Sequence, residues 1–446
     1  MEREARARSP VIFYGWIIVA ISLVTLTIAY ATRFSFSVFY VAILNEFGWS
    51  RAETALAFSI NLIVYALLSP ISGALIDRFG PRVVFPAGAV ICGLGLLGLS
   101  QLSGIWQLYL FSGLLAVGIS LIGYITHSAL LANWFSLKLG TAIGFGVIGM
   151  ALGNTSSLPI QQLINITDWR QAYLVLAFIV VGLIVPLTAV FQRHHARDMR
   201  LPMDGIAGYE VNPGSDGKIT DRPDPRVVNH EWAAIEWTLP KAMKTDKFWL
   251  LFMQTFSSGI AFNLILVHTV ALIVDLGYSK ILAASIFSLI GGLALVSGLG
   301  GYISDRIGRE LTYTLGVLGM CVGLFALLMV RDTSSPWLLY VFAVFFGSCQ
   351  GALRPLTMVA KADVFKGKHM GTIMGANNLS YGTGGAIGAW LGGYLFDISN
   401  SYTLAFSLTI PLLTIASAFL WAAAPRKIRV VGGKISKQPT YSRPVT

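Results

Sequence analysis

Charge is scarce in this sequence. Asp, Glu, Lys and Arg make up 12% of its 446 residues while 55% are hydrophobic, against roughly a quarter charged in a typical soluble domain. A water-soluble fold of this size is excluded. Carboxylates are missing from the interior of every long apolar run, Asp275 and Asp397 standing only at the ends of two of them. Cysteine is almost absent too. Cys92, Cys321 and Cys349 all fall in apolar runs, which leaves no disulfide framework and no zinc site. No nucleophile–base pair or metal-ligand constellation appears, so neither an enzyme nor a cofactor or metal is expected. The glycine clusters GFGVIGMALG (144–153) and GTGGAIG (382–388) follow no strand and precede no Lys-Ser/Thr, which excludes phosphate loops. They read as places where helices approach closely.

What the chain has is long apolar runs, twelve of them, with approximate cores at 15–43, 54–76, 83–101, 106–132, 139–162, 170–192, 247–275, 280–303, 311–330, 337–360, 371–396 and 402–424. Each can cross a hydrocarbon core about 30 Å thick at 1.5 Å per residue. The period-two alternation of a barrel is missing. The expected fold is therefore an all-α membrane protein of twelve transmembrane helices. Arg3, Arg6 and Arg8 before an apolar run resemble a secretory signal, but that run is too long and has no Ala-x-Ala site, so it counts as the first span. A polar interval separates six spans from six, giving bundles at 1–192 and 247–424, a linker at 193–246 and a basic tail at 425–446. The linker composition predicts a flexible segment with one interfacial helix over 231–245. Its His194, His195 and His230 read as solvated.

The net charge of +11 comes from where the basic residues lie. All the loop Lys and Arg fall on the side of the N-terminus except Arg51, Arg170, Lys280 and Arg331. Lys- and Arg-rich short loops stay cytoplasmic, so both termini and the linker are expected in the cytoplasm of a multi-pass protein of the cell (inner) membrane. The tail cations Arg426, Lys427, Arg429, Lys434, Lys437 and Arg443 read as a topology signal and an anchor to anionic lipid, with no nucleic acid partner. A monomer is expected.

The halves repeat. GALIDRFGPR (73–82) returns as GYISDRIGR (301–309), FGWSR (47–51) as LGYSK (276–280), GTAIG (140–144) as GTIMG (371–375), and TDWRQAY as SNSYTLAF, at offsets of 228 to 232. Six spans per repeat is an even number, so the repeats are parallel. Twelve spans, a linker after the sixth and an Asp-Arg-x-Gly-x-Arg or closely similar turn after the second and eighth resemble the major facilitator superfamily. That resemblance implies a substrate site between the halves near the midplane and cavity-lining spans one, four, seven and ten. It also implies that Asp77, Arg78, Asp305 and Arg306 latch the outward-open state. YGWIIVA, ATRFSFSVFYVAILNEFGWSRAE, ANWFSLKLGTAIG, TDWRQAY and VHTVALIVDLGYS further resemble the bacterial monocarboxylate transporter and oxalate/formate antiporter group, which implies small carboxylates as substrates. One departure stands out. That group carries an arginine shortly before the second Asp-Arg turn, near Ser297 here, and no basic residue occurs from Ile281 to Ile303.

Arginine in mid-membrane costs roughly 2.5 to 3.5 kcal/mol on insertion scales, so it normally faces a cavity. Arg33 and Arg354 are the two candidates. His127 and His268 are the only histidines within spans, and all four residues fall on spans one, four, seven and ten. A guanidinium fork matches a carboxylate, so two arginines point to an anion. Against this, Arg354 could bond carbonyls freed at Pro355 and Arg33 could snorkel outward. Tyr124 and Asn263 could donate hydrogen bonds to the same ligand. His268, or His127, is a candidate carrier of the coupling proton, unless the proton travels with the substrate as the neutral acid.

The expected function is secondary active transport of a small organic anion, a monocarboxylate with a proton, by alternating access. An oxalate/formate-type exchanger and an exporter of amphipathic drugs are the alternatives within this architecture. The exporter lacks the arginine in span four and the Gly-Pro repeat in span five usual for that class. A non-transporting sensor would need an appended domain larger than the linker or tail.

Overall fold

A computed structural model describes residues 13–135, 138–199, 201–203, 226–367 and 369–431. Apart from an isolated bridge between Val227 and Arg429, the regular structure among these residues is helical. Span 1 is Tyr14–Phe47, bent at Ser35, and spans 2 and 3 are Arg51–Phe79 and Pro81–Ser100. Span 4, Ile105–Ala132, breaks at Ile122–Gly123. Span 5 is Leu139–Thr155 followed by Ser157–Ile166, and span 6 is Trp169–Phe191. Spans 7, 9 and 10 are Asp246–Asp275, Arg309–Met329 and Trp337–Val364. Span 12 begins at Thr403 and remains helical to Ala423.

Ten helices are long and apolar enough to cross a membrane on length and composition. The other two complete the twelve. Span 8 runs Lys280–Leu293, turns through Ala294–Val296 and resumes at Ser297–Ile307, so neither piece is long enough alone. Span 11, Met370–Ser399, is 30 residues long, but Asn377, Asn378, Ser380 and Tyr381 dilute its apolarity.

Local chemistry sets several starts. The Ser50 hydroxyl accepts from the Glu53 N–H and the Glu53 carboxylate accepts from the Ser50 N–H, while Asp168, Thr245 and Ser279 cap spans 6, 7 and 8. The two Asp-Arg turns reverse at Gly80 (φ 75°) and Gly308 (φ 110°), a region open to glycine at little cost. Each span then restarts at once.

The repeat is visible in how the halves cross. Span 2 packs on span 11, span 5 on span 8 and the second piece of span 1, Phe36–Phe47, on span 7, a set that maps onto itself when the halves are exchanged. The Ser59 hydroxyl donates to the Ala386 carbonyl at 2.6 Å, and the Leu158 N–H donates to the Ser288 hydroxyl at 2.8 Å. Ser59 and Ser288, and Leu158 and Ala386, are themselves repeat partners. Glycines permit this closeness: Gly382 lies against Ala66, and Gly291 against Asn154.

Two expectations need correction. Lys361 belongs to span 10 and is 4% exposed, although its position near a run of basic residues suggests a loop. The helix expected over 231–245 is two short ones, His230–Ala234 and Leu239–Met243, because Ile235–Thr238 is extended and Pro240 starts the second. The Trp232 indole donates to the Val364 carbonyl at 2.8 Å and Trp237 packs edge-on to Phe365, so this end of the linker is built onto the C-terminal half. The N–H groups of Val228 and Asn229 donate to the Ile428 carbonyl, and that of Val430 to Arg226. Arg3, Arg6, Arg8, Lys434, Lys437, Arg443 and linker residues 204–225 lie outside the described residues.

Candidate functional site

Counting 1.5 Å per residue from the end of each span opposite the termini, Arg33, Tyr65, Tyr124, Arg354 and Tyr381 all lie about 21 to 28 Å deep. They share one level near the middle of the bundle. Arg33 is 7% exposed, and its guanidinium carbon stands 4.2 Å from the centre of the Tyr65 ring on span 2. The Tyr65 hydroxyl is 3.3 Å from that of Tyr30, one helical turn before Arg33. Arg354 is exposed, and one of its terminal nitrogens donates to the Tyr381 hydroxyl at 3.4 Å. Arg33 and Arg354 come from opposite halves. Among the described residues, neither guanidinium is bonded to a carboxylate or to a main-chain oxygen. Among the described residues, each of these two cations thus lacks an acid partner and lies against a tyrosine, Arg33 on Tyr65 and Arg354 on Tyr381.

The other sequence candidates are placed unevenly. Tyr124 is half-buried at the start of the inner piece of span 4, where Gly123 brings the backbone under the Tyr65 hydroxyl. Asn263 is 2% exposed, its amide donates to the Gly259 carbonyl at 3.0 Å, and Gly385 packs on it. It sits in the wall between spans 7 and 11. His127 turns to span 3: it stacks on Phe85 with centroids 4.3 Å apart, and its Nδ1 meets the Gly123 carbonyl at 3.0 Å. Tyr30, Tyr65 and Tyr381 escape a reading of the sequence because a tyrosine in an apolar run looks like core.

His268 stands nearer the far end, fully buried, with Nε2 2.8 Å from the Ala389 carbonyl and Nδ1 3.1 Å from the Tyr402 hydroxyl. A carbonyl only accepts, so Nε2 carries a proton. Tyr402 also receives Arg51 Nη1 at 2.7 Å. Arg51 closes this end: it pairs with Asp275 at 2.7 Å and lies 3.6 Å over the Phe396 ring. Asp397 accepts the N–H groups of Arg51 and Ala52 at 3.0 and 2.8 Å, so a carboxylate of one half caps a helix of the other. The repeat partner of Arg51, Lys280, is exposed, and Glu46 is held by Arg170 and Trp169 of its own half.

At the end that carries the termini, Asp77, Arg78, Asp305 and Arg306 are all exposed. Asp305 is engaged within its own half by Arg309 at 2.6 Å, and Arg309 also reaches Asp363 at 3.0 Å. All the described hydrogen bonds and ion pairs between halves lie between the far end and the middle of span 2. Among the described residues, Asp77, Arg78, Asp305 and Arg306 make no hydrogen bond or ion pair to the opposite half.

The model of the Major Facilitator Superfamily matches residues 22–300 and 292–442. Monocarboxylate transporter 13 of Rattus norvegicus is 26% identical over 92% of this chain and 87% of its own length. The oxalate:formate antiporter of Oxalobacter formigenes is 22% identical over 95% of each chain. The solved D-xylose-proton symporter superposes with a TM-score of 0.71 at 15% identity, covering 93% of this chain and 99% of its own. A bacterial homologue of the human lysosomal transporter Spinster superposes at 0.72 with 14% identity, over 93% and 98%. These two likenesses concern the fold alone.

Proposed function

The chain belongs to the major facilitator superfamily and is a transporter, not an enzyme; on that premise we propose that it moves a small monocarboxylate together with a proton by alternating access. The observation that supports this reading is the pair of guanidiniums, Arg33 and Arg354, one from each half, which have no acid partner among the described residues. A carboxylate neutralises them through charge-assisted hydrogen bonds. Neutralisation removes the repulsion that holds the halves apart, so the loaded carrier rocks. The two arginines supply the positive charge that the eighth span lacks. Arg51 and its acids shut the far end, and Asp77, Arg78, Asp305 and Arg306 re-engage when the terminal end closes. The basic loops orient that terminal end to the cytoplasm.

In proteoliposomes, uptake of pyruvate-sized monocarboxylates is expected to saturate and to be accelerated by an inward proton gradient. Transport of neutral or cationic amphipaths with no response to carboxylates would sink the reading. Exchange of one anion for another is the second reading, favoured because both buried histidines lie outside the arginine pocket. It predicts uptake only into vesicles preloaded with a carboxylate. His268 ties proton coupling to the outer gate on this proposal, so His268→Gln should abolish stimulation by the proton gradient while exchange persists. Unchanged stimulation would assign the proton to the substrate itself.

A further inference from the structure

Arg33 is held in an unusual way. A buried guanidinium normally lies in a web of acceptors, yet the guanidinium carbon of this one lies over the Tyr65 ring, 4.2 Å from its centroid. The five N–H groups of arginine lie in the guanidinium plane and point outward from its edges. A ring beneath the guanidinium holds it by cation–π attraction and takes up none of those donors in an ordinary hydrogen bond. Two contacts fix the ring in turn, and a third holds its helix. Its hydroxyl meets Tyr30 at 3.3 Å, its edge lies over Gly123 at the break of span 4, and the next residue, Ala66, abuts Gly382 of the other half. Tyr381, beside Gly382, receives Arg354.

From this we infer that Tyr65 is the positioning residue for the substrate: it holds the Arg33 guanidinium in place with its N–H donors left for the carboxylate and so sets affinity, through Arg33, without donating to the ligand itself. The inference deepens the anion reading and rests on it. Because Tyr65 also sits one residue from the contact with span 11, the grip on the carboxylate is coupled to the packing that brings Arg354 into the same cleft.

The test is a comparison of Tyr65→Phe and Tyr65→Leu in proteoliposomes, with KM and maximal rate for a monocarboxylate measured separately. A cation–π contact is worth enough to raise KM about three- to thirtyfold on losing the ring. Tyr65→Leu should show that rise with little change in maximal rate, whereas Tyr65→Phe, which keeps the face, should stay within about twofold. Tyr65→Met fills similar space without a ring and stands in if the leucine variant does not reach the membrane. Equal KM in all variants overturns the inference, and so does a Tyr65→Phe defect as large as that of Tyr65→Leu, which would give the role to the hydroxyl. Absence of saturable carboxylate uptake by the unaltered protein would instead remove the anion reading, so the two failures are separable.

Discussion

Arg354→Ala is expected to abolish saturable uptake of monocarboxylate while leaving the protein folded. The two halves of that expectation come from the same geometry. Arg354 is exposed and makes one long bond, to the Tyr381 hydroxyl at 3.4 Å, so removing it leaves no buried partner stranded and should change stability by no more than about 0.5 kcal/mol. Had it tied down the carbonyls around Pro355, truncation would loosen span 10. A hydrogen bond to a charged group contributes about 1.5 to 3 kcal/mol, so losing a two-pronged grip on a carboxylate raises KM by roughly two to four orders of magnitude at 1.4 kcal/mol per tenfold. Uptake then ceases to saturate over any usable concentration. Arg354→Lys keeps the charge and loses the planar fork, so it should fall between the alanine variant and the parent. Uptake by Arg354→Ala with an unchanged KM, in protein of unchanged melting temperature, would take the residue out of the site.

The architecture was legible because the membrane leaves few options: an apolar run of twenty residues can only be a helix. Glycine-punctuated Asp-Arg turns announced the repeat, and the structure shows its consequence in the matched contacts of Ser59 with Ala386 and Leu158 with Ser288. The arginines were legible for the same reason, since charge within a span is costly enough to be noticed. Harder to read was everything that depends on which face of a helix meets what. Tyr65 resembles any core aromatic until folding brings it beneath Arg33. His127 shares a span with Tyr124, but three residues on it turns to span 3. Asp275 and Asp397 read as ordinary helix ends. Only the closure of the halves sets them on Arg51, from 224 and 346 residues away. Lys361 was hidden by its company, because the helix continues past the point where basic residues suggest that it has ended.

Closure of the far end yields the second large expected effect, and the residue expected to control it carries no charge. Gly393 of span 11 lies where the first turn of span 2 enters, and a Cβ there would stand 2.6 Å from the Ala52 nitrogen and from the Arg51 carbonyl carbon and oxygen. Those are backbone atoms and cannot swing aside. Gly393→Ala therefore has to push the two helices apart, just where Asp397 must reach the Arg51 and Ala52 N–H groups at 3.0 and 2.8 Å. Overpacking of this kind costs about 1 to 3 kcal/mol, which shifts a two-state equilibrium roughly five- to 150-fold. The surface part of the Arg51–Asp275 pair, with side chains 18% and 36% exposed, contributes too little to offset that. The variant should hold the far end open, with transport slowed because the terminal-open state is reached rarely, although substrate added from the far side still binds. A cysteine at Ala55, fully buried between the contacts that Ala52 and Ser59 make with span 11, reports the opening. With Cys92, Cys321 and Cys349 replaced, it should resist an impermeant maleimide in the parent and react in Gly393→Ala. Asp397→Asn, which adds no bulk and weakens the carboxylate cap, should move accessibility in the same direction by less. A cysteine that stays protected in both variants would show that these bonds do not set the balance between the two states.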